Sequence, residues 1–157
     1  MIDETFGDTN AEGLRFGLIA GRFNEKVTDR LVEGALECLR SHGATDEDIE
    51  VYRVPGAFEI PVAARRLLDQ KRFDALIALG ALVRGETPHF DYISAQTSLG
   101  ISAVSTETRI PIGFGVLTCD TMEQAVARVE PGNNKGWEAA LAAIEMSRLF
   151  QLIQDKD

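Results

Sequence analysis

The chain has 157 residues, the length of one domain, and a single core at that size buries roughly two-thirds of the unfolded surface. Its 25 acidic against 16 basic residues give a net charge of -9, which excludes a broad surface for nucleic acid or anionic membrane and leaves any anionic ligand to a local device. No charged start leads into an apolar signal core, no apolar run approaches the roughly 18 residues of a membrane span, and Cys38 and Cys119 read as reduced, packed thiols, so a cytoplasmic protein is expected.

Residues 1–13 are polar, acidic and aperiodic, and read as an arm that orders only against another surface; a single domain is expected over 14–157. Residues 14–20 form a short apolar run closed by Gly21. From 25 to 42 apolar residues recur at Val27, Leu31, Ala35 and Leu39, the spacing of an amphipathic helix. Gly43 is its expected left-handed stop, with His42 facing the negative helix end. A second strand over 50–54 breaks at Pro55-Gly56, and a second helix over 60–70 carries Pro61 in its first turn. The third strand, 75–82, is apolar throughout, as a central parallel strand covered on both faces should be. A third helix opens near Thr87-Pro88-His89. The fourth strand, 112–119, leads into Asp120-Thr121-Met122-Glu123, an acidic N-cap with a glutamate three residues on. The last helix spans 135–153. Its 139–144 stretch is apolar on nearly every side, more than one core face requires, which points to subunit packing. Strands alternating with helices define a three-layer α/β domain with a parallel sheet.

Ligands of open parallel sheets settle at the carboxyl ends of the strands. The segments there are Gly21-Arg22-Phe23-Asn24, Pro55-Gly56-Ala57-Phe58-Glu59, Arg84-Gly85-Glu86-Thr87-Pro88-His89 and the stretch around Phe114. With Thr87 as N-cap and Pro88 as first helical residue, the amides of 85–89 point outward at the positive helix end, a cradle for phosphate. Gly85 admits an anion closely and Thr87 adds a hydroxyl, while the Glu86 carboxylate has to turn away as its amide donates. Alone, such a cap is more often helix punctuation. His89 stands where a proton donor or acceptor faces both cradle and crevice, though a lone histidine is more often structural. Phe23 and Phe114 would ordinarily be core residues, yet in its strand-end turn the Phe23 ring can stack on a flat heterocycle. Arg128 and Lys135 are cations in an acidic chain; solvation is their default, and an arginine can also grip a phosphate bidentately.

Four motifs carry the reading further. They are Gly21-Arg-Phe-Asn24, Val54-Pro-Gly-Ala-Phe-Glu-Ile-Pro61, Gly85-Glu-Thr-Pro-His-Phe-Asp91, and Asn134-Lys-Gly136 leading into Ala143-Ile-Glu-Met146. In order and spacing they closely resemble the lumazine synthase family, over about residues 14–150. The resemblance implies a flavodoxin-like α/β sandwich with a four-stranded parallel sheet. It also implies homopentamers, in many members icosahedral shells of pentamers, and active sites at the subunit seams. The implied reaction condenses 5-amino-6-(D-ribitylamino)uracil with 3,4-dihydroxy-2-butanone 4-phosphate to 6,7-dimethyl-8-ribityllumazine, releasing phosphate and water. That is the penultimate step of riboflavin biosynthesis; it needs no metal or redox cofactor, and riboflavin synthase is a candidate partner. By the same resemblance Phe23 stacks on the pyrimidine, Ala57, Phe58 and Glu59 meet the ribityl chain, and Ala81, Leu82 and Val83 meet the pyrimidine edge. Phe114 comes from the adjacent subunit. Gly85, Glu86 and Thr87 border the sugar phosphate, Arg128 pairs with its phosphate, Lys135 lies close by, and His89 transfers protons. The short Arg128 to Lys135 connection lacks the insertion of members that stop at pentamers, which favours a shell. The Ser94-Ala95-Gln96 stretch departs from the pattern in lacking an asparagine.

Overall fold

Strands β1 (Phe16–Gly21), β2 (Ile49–Val54), β3 (Ala75–Val83) and β4 (Ile112–Cys119) form one parallel sheet in the order β2-β1-β3-β4 in the computed structural model, which describes residues 1–156. The register sets Leu18 between Val51 and Ile77, and Ala78 beside Phe114. The two central strands are buried from Phe16 to Gly21 and from Ala75 to Ala81, as their unbroken apolar sequences require. Alternation along each strand divides the core in two. Leu18, Ile77 and Leu79 pack with Leu31 and Leu39 of α1 (Glu25–Ser41) and Ile144 of α5 (Lys135–Asp155). Ile19, Leu76 and Ala78 pack with Ile60 and Leu67 of α2 (Ile60–Leu68) and Ile101 of α3 (His89–Thr108). The α/β three-layer reading is borne out.

Several boundaries shift for local reasons. Helix α1 stops at Ser41, with His42 as its cap and Gly43 at φ +106. Helix α2 stops at Leu68, two residues before the expected end, and the chain turns through Lys71 at φ 54. Pro88, not Thr87, is the N-cap of α3; the Thr87 hydroxyl instead accepts from the His89 amide at 3.4 Å. A further helix, α4 (Met122–Ala127), starts one residue later than the acidic pattern suggests. Thr121 Oγ1 accepts from the Gln124 amide at 3.2 Å, and Gln124 Oε1 accepts from the Thr121 amide at 3.3 Å, so the box is closed by Thr121 and Gln124, leaving Asp120 free for another partner.

An antiparallel ribbon of β5 (Val129–Glu130) and β6 (Asn133–Asn134) then turns at Pro131-Gly132, with Gly132 at φ 80. Its polar sequence carries no strand signal. Asn134 caps α5, its Oδ1 accepting from the Gly136 and Trp137 amides at 2.8 and 3.2 Å.

The expectation of subunit packing through residues 139–144 is corrected. Ala139, Ala140, Ala143 and Ile144 are buried within the chain, between α1 and the sheet, because the alanines let α5 approach β4 closely. The arm orders against the chain itself: the Ala11 amide donates to the His42 carbonyl at 2.8 Å, and Arg148 of α5 donates to the Asn10 and Glu12 carbonyls, each at 2.7 Å. Both cysteines are free and buried; burial, reinforced by Glu37, pushes the Cys38 thiol up to about 12. Among the described residues no helix is long and apolar enough to cross a membrane.

Candidate active site

At the carboxyl ends of β1, β2 and β3 three loops are tied into one surface. The Arg22 amide donates to the Val54 carbonyl at 2.9 Å and the Phe23 amide to that of Pro55 at 3.1 Å. Asn24 adopts the left-handed conformation at φ 61, and its Nδ2 donates to the Ala81 carbonyl at 2.8 Å. These bonds fix the turn that carries Phe23. The ring lies over Gly56, where an added Cβ would stand 2.7 Å from Phe23 Cδ2 and 3.6 Å from Glu59 Oε1, so only glycine leaves room for it. Phe23 is 70% exposed and Phe58 54%, whereas Ala57 and Ala81 are buried in the floor.

Leu82, Val83, Gly85, Thr87 and His89 line a hollow of about 170 Å³, closed by Phe90 and Ile93. Glu86 lies exposed in the same loop. The hollow therefore brings together Leu82 and Val83 of the expected pyrimidine edge, Gly85 and Thr87 of the cradle and His89. It lies at the end of β3, the strand next to the one that leads into Phe23. Phe114 is not part of that group. It stands 48% exposed on β4 in a separate hollow of about 460 Å³ with Arg84, Asp91, Ser94 and Asp120.

Arg128 and Lys135 adjoin across the β5–β6 ribbon, where the Lys135 amide donates to the Arg128 carbonyl at 2.9 Å, and neither lines the His89 hollow. Their charges are differently engaged. Lys135 Nζ pairs with Glu138 at 3.0 Å, while Arg128 Nη1 donates only to the Gln124 carbonyl at 2.9 Å and has no carboxylate within ion-pair distance among the described residues. Burial raises the Cys119 thiol above its usual range, and the charge of Arg128 opposes that rise.

Sequence reasoning missed Asn24 and Arg84. An asparagine between a strand and a helix was the available sign for the first; Arg84 opened the loop already singled out. Arg84 Nε donates to Asp120 at 2.9 Å and Nη1 to Asp91 at 3.0 Å, and these bonds hold its guanidinium above the ordinary arginine range. A hollow of about 620 Å³ between α1, the ribbon and Trp137 contains none of the expected site residues. Among the described residues no group of three or more His, Cys, Asp and Glu side chains could hold a metal ion.

A parallel three-layer sandwich with an exposed aromatic ring and a histidine-bearing helix start at its strand ends is a small-molecule site on a doubly wound fold. The family model described as 6,7-dimethyl-8-ribityllumazine synthase matches residues 13–151. A protein of that name from Aquifex aeolicus (strain VF5) is 55% identical over 149 residues, covering 94% of this chain and 97% of the relative. The chain belongs to the 6,7-dimethyl-8-ribityllumazine synthase family, and is thus an enzyme of riboflavin biosynthesis, a transferase.

Proposed function

We propose that the protein condenses 5-amino-6-(D-ribitylamino)uracil with 3,4-dihydroxy-2-butanone 4-phosphate. The observation that carries this reading is the exposed Phe23 ring held over Gly56, with Glu59 beside it and the His89 hollow at the end of the neighbouring strand. The ring supplies a face for the pyrimidine, Ala57, Phe58 and Glu59 take the ribityl chain, and Ala81, Leu82 and Val83 meet the pyrimidine edge. Gly85, Glu86 and Thr87 border the sugar phosphate. Arg128, whose guanidinium has no carboxylate partner among the described residues, binds the phosphate, and Lys135 lies next to it.

The pyrimidine's amine attacks the ketone and forms a Schiff base with loss of water; phosphate then leaves, and ring closure with a second dehydration gives 6,7-dimethyl-8-ribityllumazine. No net oxidation occurs, so the sequence of steps requires no redox partner. His89 moves protons to and from the reacting nitrogen and oxygen atoms. Alignment of two bound substrates supplies much of the acceleration. Residues 14–157 act as one domain in a cytoplasmic homopentamer, assembled further into a shell of pentamers, in which Phe114 of one subunit completes the site of the next. Riboflavin synthase is the partner that would use the product.

The test mixes the purified protein with both substrates, adding no metal or cofactor, and follows lumazine fluorescence against a protein-free control. Product well above the spontaneous reaction is expected. No excess from folded, assembled protein would overturn the reading in favour of a carrier or shell role.

A further inference from the structure

Arg84, which lines the Phe114 hollow with Asp91 and Asp120, is the point at which three elements meet. Its backbone amide donates to the Cys119 carbonyl at 2.9 Å, joining the end of β3 to the end of β4. Its side chain divides between Asp120, beside the cap of α4, and Asp91, in the first turn of α3, and its guanidinium carbon lies 4.5 Å from the centre of the Phe90 ring. Phe90 also closes the His89 hollow. One planar group thus holds the loop of Gly85 and Thr87, the helix start of His89 and the helix that ends at Arg128.

The stability these contacts supply is small, because the Arg84, Asp91 and Asp120 side chains are 43, 59 and 67% exposed and ion pairs in water contribute little. Geometry is what such a fork supplies: two bonds in fixed directions and a flat face on an aromatic ring, which an ammonium group cannot reproduce together. Nor is Arg84 the phosphate's own partner, since its charge is already shared between two carboxylates. We propose that Arg84 is a positioning residue for the condensation, aligning the sugar-phosphate side of the site through Asp91 and Asp120 while leaving the Phe23 surface untouched.

The inference rests on the proposed condensation, and its test separates the two. Arg84→Lys, Asp120→Asn and the double variant are assayed with each substrate varied in turn, alongside thermal unfolding and hydrogen–deuterium exchange of residues 84–92 in the assembled protein. The single variants are expected to lose about ten- to a hundredfold in kcat/KM for the sugar phosphate, the scale of a misplaced reacting group. KM for the pyrimidine and the thermal midpoint stay unchanged, exchange over 84–92 quickens, and the double variant is no worse than the poorer single, because both break one network. Wild-type kinetics in Arg84→Lys, or equal loss for both substrates with a lowered midpoint, would overturn the proposal. Should the unaltered protein form no product, the functional reading fails by itself, and unchanged exchange in Arg84→Lys would then overturn the positioning role independently.

Discussion

Phe23 stands 70% exposed at a strand end, and Arg128 has no carboxylate within ion-pair distance among the described residues of a chain with net charge -9. Each makes sense as half of a pair whose other half is a ligand. In the proposed reaction His89 moves the protons, so replacing it removes acid-base help but leaves both binding surfaces. His89→Ala is expected to slow turnover roughly ten- to a thousandfold with little change in either KM; unchanged kcat would take His89 out of the mechanism. Arg128→Ala is expected to raise KM for the sugar phosphate selectively, and titration with inorganic phosphate as a competitive inhibitor should show the same weakening. Most residues proposed to carry the chemistry stand out in the sequence because they fall in strand-end motifs; Phe114, the third residue of β4, and Arg128 and Lys135, beside the ribbon, do not. Nor does Asn24, because its importance lies in a left-handed backbone and a bond to Ala81, 57 positions away in sequence.

Strand β3, covered on both faces, could be read from apolar content alone, which is why it falls where the sequence places it, one residue longer. The ribbon could not, since its four paired residues are held by cross-strand backbone bonds and by the Asn134 cap rather than by an apolar pattern. Helix α4 shows how a cap decides a boundary: Asp120 and Thr121 both suit the position, and Arg84 captures the aspartate while the threonine closes on Gln124. Thr121→Ala removes the side-chain acceptor and should cost about 1 kcal/mol, read as a lowered denaturation midpoint. Thr121→Ser retains the hydroxyl and should keep the midpoint. Glycines separate packing from chemistry in the same manner. At Gly113 an added Cβ would fall inside contact distance of the Ala139 carbonyl, backbone that cannot give way, so Gly113→Ala should destabilise by about 1–3 kcal/mol and loosen α5 from β4. Gly85 has open space at the same point, and Gly85→Ala should fold normally while losing affinity for phosphate. A Gly113→Ala protein as stable as the parent would contradict the close packing of α5.

For the whole molecule the decisive relation is between Phe114 and the rest of the site. Within one chain Phe114 shares its hollow with Arg84, Asp91 and Asp120, while His89 lines another, and Phe90 borders both. In the proposed assembly each seam joins one chain's His89 to its neighbour's Phe114, which would bring residues of the two hollows into one site. Periodicity could not point to this relation, because it reports on which face of an element is covered and not on which chain covers it; only the family resemblance implies it. Subunit exchange tests it directly. His89→Ala and Phe114→Ala proteins, each impaired alone, are unfolded together, refolded as mixed assemblies and assayed. If the site is shared, about a quarter of randomly formed seams combine an intact His89 with an intact Phe114, and activity rises above the mean of the two parents. If both residues serve the same chain's site, every seam retains one defect and mixing restores nothing.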